Sequence, residues 1–129
     1  MPVKNSAQSR DLMPIRYFPA ARQDIINTLK WSAANFGVAA LERYKTLIAV
    51  AIAEIHADPQ LVHSFEAPGL QPGIRLYHIR HSRKRAAVHD QIVDSPRHFV
   101  VYMNSNEDMI IVRVLHERME ITRRVEEAL

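Results

Sequence analysis

The chain has no cysteine. That one absence removes thiolate nucleophiles, cysteine-bound zinc and disulfide scaffolds together. Long apolar runs are missing too. The most apolar stretch, Leu47 to Ile55, contains Glu54 and is too short to cross a bilayer. Met1 to Asp11 is polar and does not resemble a secretion signal. A reducing, cytoplasmic setting without membrane contact is therefore the expectation. There are no internal repeats and no low-complexity run. Nowhere do His, Asp and Glu fall at the spacing of a ligand set, so neither a metal nor a cofactor is expected.

What is present is enough for one domain. A chain of 129 residues buries about two-thirds of its unfolded surface and needs no staple to fold. Residues 1–12 lack periodicity and read as a mobile tail, leaving 13–129 as the folded part. Met13 stands just before the first element and is the expected initiator, which an intact mass of the natively expressed protein would check.

Pro14 to Phe18 reads as a short strand closed by Pro19, with Ile15 and Tyr17 on one face. Ala21, Ile25, Leu29, Ala33 and Phe36 then fall at helical spacing, and Gly37 suits the left-handed residue that ends a helix. A second helix carries the stripe Leu41, Tyr44, Leu47, Ile48, Ala51, Ile52 and Ile55. Asp58-Pro59 stops it. So short a connection predicts a helix hairpin whose apolar stripes lie on a sheet. Glu66 to Gly73 is a turn-rich bridge. Ile74 to His81, Arg97 to Met103 and Met109 to Leu115 read as strands, the last two joined by the turn Asn104 to Asp108. Glu120 to Leu129 can close the fold as a helix. The expected class is α+β, a helix hairpin on a small, mainly antiparallel four-stranded sheet in the order β-α-α-β-β-β.

Charge is unevenly placed. The net charge is only +3. Yet between Arg75 and His98 there are six basic residues (Arg75, Arg80, Arg83, Lys84, Arg85, Arg97) against Asp90 and Asp94. Most of them lie in Ser82 to Pro96 or just before it, a polar insertion longer than a hairpin turn needs. Such a concentration suits an acidic partner, nucleic acid or protein, though a solvated loop looks the same in sequence.

The ordered set Ala21, Asp24-Ile25, Phe36-Gly37, Tyr44, Asp58-Pro59, Gly73-Ile74-Arg75, Arg97-His98-Phe99, Tyr102 and Arg113-Val114-Leu115-His116-Glu117-Arg118-Met119-Glu120 resembles the ParE/RelE superfamily of bacterial toxins, in its ParE branch. The match runs from Met13 to about Val125. The resemblance implies a RelE-like fold and a toxin of a type II toxin–antitoxin pair, neutralised by a cognate, ParD-like antitoxin. ParE-branch relatives act on DNA gyrase, whereas RelE-branch relatives cut mRNA on the ribosome, and a shared backbone does not choose between them.

Each target makes its own demand on residues. Contact with a large target would fall to Arg75, Arg80, His81, Arg83, Lys84, Arg85 and Arg97, with no catalytic residue required. The mRNA endonuclease alternative needs an acid, a base and cations around a phosphate, for which His116 with Arg113 and Arg118 is the best cluster. Against it, His116 runs in phase with Val112 and Val114, as a packed histidine would. The chain also continues through Ile121-Thr122-Arg123-Arg124-Val125 without the terminal aromatic or His of the nucleases. Arg75 has a structural alternative, pairing with Asp24, and Tyr102 has one in capping the core with its hydroxyl outside. His78 and His81 fall on opposite strand faces and cannot chelate together. For antitoxin anchoring the candidates are Trp31, Leu61 and Val62, with core packing the alternative for Trp31.

Overall fold

Why the sheet comes to lie between two unequal layers can be followed along the chain. The structure, a computed structural model, describes residues 13–129. The expected N-terminal tail lies outside the described residues. Strand β1 (Ile15–Tyr17) is followed by helix α1 (Pro19–Phe36), and Pro19 sits where the first helical turn has no amide bond to lose. Gly37 then has φ +91° and ψ 173°. The expected left-handed turn is thus replaced by a positive-φ, extended geometry that essentially only glycine adopts. It ends α1 and starts α2 (Val38–Ala57) within one residue, and its amide donates to the Ala33 carbonyl at 2.9 Å. Asp58 is extended, as the following proline requires, and α2 stops there.

The remaining elements are β2 (Phe65–Glu66), β3 (Ile74–His78), a 3₁₀ turn (Ile79–Ser82), β4 (His98–Asn104), β5 (Met109–His116) and α3 (Ile121–Ala128). The sheet has five strands in the order β1-β5-β4-β3-β2, antiparallel except for the β1/β5 pair. It therefore has one strand more than the four expected. The addition is the two-residue β2, hidden in the turn-rich approach to β3. β3 is also shorter than expected. Its alternation continues through Ile79, which is fully buried, but the backbone has already turned into the 3₁₀ helix.

The alternation divides the core in two. Tyr77, Val100, Tyr102, Met109, Ile111 and Val114 face Ala21, Leu47, Ile48, Ala51, Ile52 and Ile55 of the helix hairpin. On the other face Ile74, Leu76, Val101, Val112 and Leu115 pack with Val125 of α3, flanked by Ile121 and Ala128. The order of β5 breaks once. Tyr102 pairs with Ile111 but Val101 with Arg113, so β5 carries an extra residue, a β-bulge. Val112 and Val114 consequently lie on opposite faces, which corrects the expectation that His116 is in phase with both. It shares a face with Val114 only.

β1 is too short to cover the far half of β5. Its last bond runs from the Phe18 amide to the Ile111 carbonyl. Beyond it the amide of Val114 donates to Asp24 Oδ2 at 3.0 Å, so a side chain from α1 takes the place of a strand.

Candidate functional site

Five of the seven residues expected to contact a target meet at one place. Arg80, His81, Arg83, Lys84 and Arg85 line an open concavity of about 310 Å³ beside the 3₁₀ turn. The loop that carries them is fastened from below. Glu54, at the inner edge of α2, accepts from Arg85 Nε at 2.5 Å and from Ser82 Oγ at 2.5 Å. Tyr77 in turn donates its hydroxyl to Ser82 Oγ at 2.8 Å, and Ser82 is fully buried. Burial pushes Glu54 up, but the bonds from Arg85 and Ser82 outweigh it and its pKa ends below the usual carboxylate range. Arg83 donates to the Asp94 carbonyl at 2.9 Å, and Val88 and Gln91 close the loop on each other. Arg85 is thus neutralised locally. Arg80 and Lys84 are exposed and, among the described residues, make no ion pair.

His81 belongs to the same place for a second reason. Its ring stacks on that of His63, centroids 4.1 Å apart and 10° from parallel, with Tyr77 tilted against it at 5.8 Å. Desolvation, and next the neighbouring His63, hold its pKa down at about 4, so it is neutral at physiological pH. Because His81 sits in the 3₁₀ turn, the expected contrast of strand faces with His78 does not arise.

The other two expected contact residues lie elsewhere. Arg75 is half-buried on β3 and donates to Ser64 Oγ at 2.8 Å; the pairing with Asp24 that was one expectation is not formed. Asp24 goes to Arg113 instead, through two bonds of 2.7 and 2.8 Å. Arg97 donates to Glu117 Oε1 at 2.9 Å, and Glu117 Oε2 meets His78 Nε2 at 2.8 Å. Since His78 Nδ1 accepts the Arg80 amide, its proton sits on Nε2 and points at the carboxylate. Arg97, then His78, hold the Glu117 pKa down at about 2.

A second histidine pair closes this end of the sheet. His98 and His116 are cross-strand partners on β4 and β5, with ring centroids 5.3 Å apart. Tyr44 takes the Arg97 amide and donates to His98 Nδ1 at 2.5 Å, while His98 Nε2 lies 3.4 Å from Thr28 Oγ1. Burial raises the Tyr44 pKa to about 12 and, with the charge of His116 next, lowers that of His98 to about 4. His116 Nδ1 accepts the Arg118 amide at 3.1 Å. The three residues of the nuclease alternative each have other neighbours. Arg113 is bound to Asp24 and to the Arg124 carbonyl, whereas His116 looks to His98 and Arg118 lies exposed at the strand end.

The apolar anchors are also spread out. Trp31 is 61 % exposed, which excludes core packing, and meets Phe36 edge-on at 5.5 Å. Leu61 packs partly against the helix-side core, and Val62 is exposed. Trp31 lies on α1 towards the hairpin turn, whereas Leu61 and Val62 follow the far end of α2. Tyr102 is fully buried. Its hydroxyl does not face outward as expected but donates to the Pro59 carbonyl at 2.5 Å.

Sequence reasoning missed two groups that organise this surface, Glu54 and His63, and gave Asp24 the wrong arginine. Glu54 was visible as an acid within a helical apolar stripe, where a carboxylate demands a cation. No comparable signal marks His63. No helix among the described residues is long and apolar enough to cross a membrane. A search of curated proteins found no match. A family model described as the ParE toxin of type II toxin–antitoxin system, parDE, matches residues 15–121, from β1 to the first residue of α3. The chain belongs to the ParE toxin family of type II toxin–antitoxin systems.

Proposed function

We propose that this chain is a toxin that acts in the cytoplasm by binding DNA gyrase and is held inactive by a cognate, ParD-like antitoxin. The family match supports the toxin and its antitoxin partner. The observation that carries the choice of target surface is the concavity beside the 3₁₀ turn, where Arg80 and Lys84 are left without carboxylates on a loop anchored by Glu54. A rigid loop that presents unneutralised cations loses little freedom on docking, which favours contact with a large, negatively charged assembly. Arg75 and Arg97 are engaged elsewhere, with Ser64 and Glu117.

The antitoxin reading rests on the exposed apolar side chains towards the two ends of the helix hairpin. A segment that engaged both Trp31 and Val62 would run along most of the hairpin, whose second helix has 20 residues and is about 30 Å long. Induced expression tests the target. Filamented cells with DNA damage signalling, together with loss of supercoiling by purified gyrase, support the proposal. Translation arrest with cleaved mRNA and unimpaired gyrase would replace it with the ribosome-dependent endonuclease.

A further inference from the structure

We propose that the concavity beside the 3₁₀ turn is a binding site for single-stranded nucleic acid, with phosphates at Arg80, Arg83 and Lys84 and a base stacked on His63. It goes beyond the proposed function and rests on that reading only for the loop being the working surface. Two independent features meet there. The first is charge: three cations remain once Arg85 is discounted against Glu54, and Asp90 and Asp94 form no ion pair with them among the described residues. Arg83 spends Nη1 on a backbone carbonyl, which consumes no charge and fixes the guanidinium in place.

The second feature is a flat aromatic face. His63 is exposed, and its ring lies parallel to that of His81, which itself lines the concavity. His63 does not itself line the concavity; with His81, against which Tyr77 is tilted, it forms a stack of two parallel imidazoles at the concavity's edge. An acidic peptide would use the cations but has no use for the ring. A nucleotide uses both, because a positive groove tracks its backbone while aromatic faces take its bases. A duplex keeps its bases stacked on one another, so the strand must be single.

The test is fluorescence anisotropy with labelled single-stranded DNA and RNA oligonucleotides of mixed sequence, using the full chain. With three phosphate contacts the slope of log affinity on log salt is about −2, so binding weakens about twentyfold between about 50 and 200 mM salt. Removing two contacts in the double variant R80A/K84A reduces the slope to about −0.7. His63→Asn keeps a residue that tolerates the positive φ of 77° but removes the ring. It weakens binding about fivefold or more without changing the slope. Preference for DNA or for RNA identifies the strand, and either supports the site. No binding, equal binding to poly-glutamate or to duplex, or binding unchanged in R80A/K84A with the fold intact by circular dichroism would each overturn it. Failure here with gyrase inhibition preserved would leave the proposed function standing.

Discussion

The inner edge of β5 and the loop after β3 use their arginines in opposite ways. Arg113 is matched atom for atom by Asp24, with both side chains about seven-eighths buried (12 % and 14 % exposed), and the same carboxylate accepts the Val114 amide. Arg80 and Lys84 project from the 3₁₀ turn and the loop after it, where Glu54 is already taken by Arg85 and Ser82. Arg113 and Arg85 are thus structural because an acid on a helix reaches each, whereas Arg80 and Lys84 are available because, among the described residues, they form no ion pair. The difference is set by the neighbour and not by the arginine.

The largest expected effect comes from breaking the matched side. Asp24→Ala leaves a mostly buried guanidinium without its counter-charge and the Val114 amide without its acceptor, and should cost about 3–5 kcal/mol in urea denaturation. A loss below about 1 kcal/mol would remove the contrast. Next is pH. The folded state holds His98 neutral, with a pKa of about 4 against roughly 6.5 when unfolded. A group whose pKa is lowered by folding contributes stability above its unfolded value, because below it the unfolded chain takes the proton and the folded one resists. Stability should therefore fall as pH drops from about 6.5 to 4, by on the order of 3 kcal/mol from His98. His78 and His81 shift in the same direction and add to the fall. His98→Gln should flatten the profile in that window, and an unchanged slope would show that His98 does not carry it.

A smaller effect sharpens the comparison from the loop side. Ser82→Ala removes the link between Tyr77 and Glu54 and should cost about 1–3 kcal/mol. Faster amide exchange should then be confined to the 3₁₀ turn and the loop after it. If exchange rose equally across β5, the loop would not be a separately fastened unit. The smallest effect is the most telling. R80A/K84A should leave stability within about 0.5 kcal/mol, as for surface positions free of structural partners.

Much of this frame was legible in the sequence, for reasons that particular residues make plain. The helices announced themselves through their stripes, and Gly37 and Asp58-Pro59 set their ends by backbone chemistry alone. β4 and β5 alternated, and the polar turn between them left only one pairing. What escaped was set by contacts distant in sequence. β2 has two residues, too few for any periodicity, and exists because β3 lies beside it. The bulge at Arg113 inverted the phase on which the reading of His116 depended. Asp24 was read as a partner for Arg75 and meets Arg113 instead, because β5 is the strand that lies against α1. In the candidate site the cations were visible as a run, but which of them Glu54 neutralises, and that His63 stacks beside them, arises from folding over 30 or fewer residues of intervening loop and turn.

The claim on which the rest depends is that this ParE-family chain works through the unmatched cations of the loop. The direct measurement is inhibition of gyrase supercoiling by the purified protein and by R80A/K84A of equal thermal stability. The account predicts inhibition by the unaltered chain and its loss, by tenfold or more on the order of two charge contacts, in the variant. Equal inhibition by both proteins would contradict it.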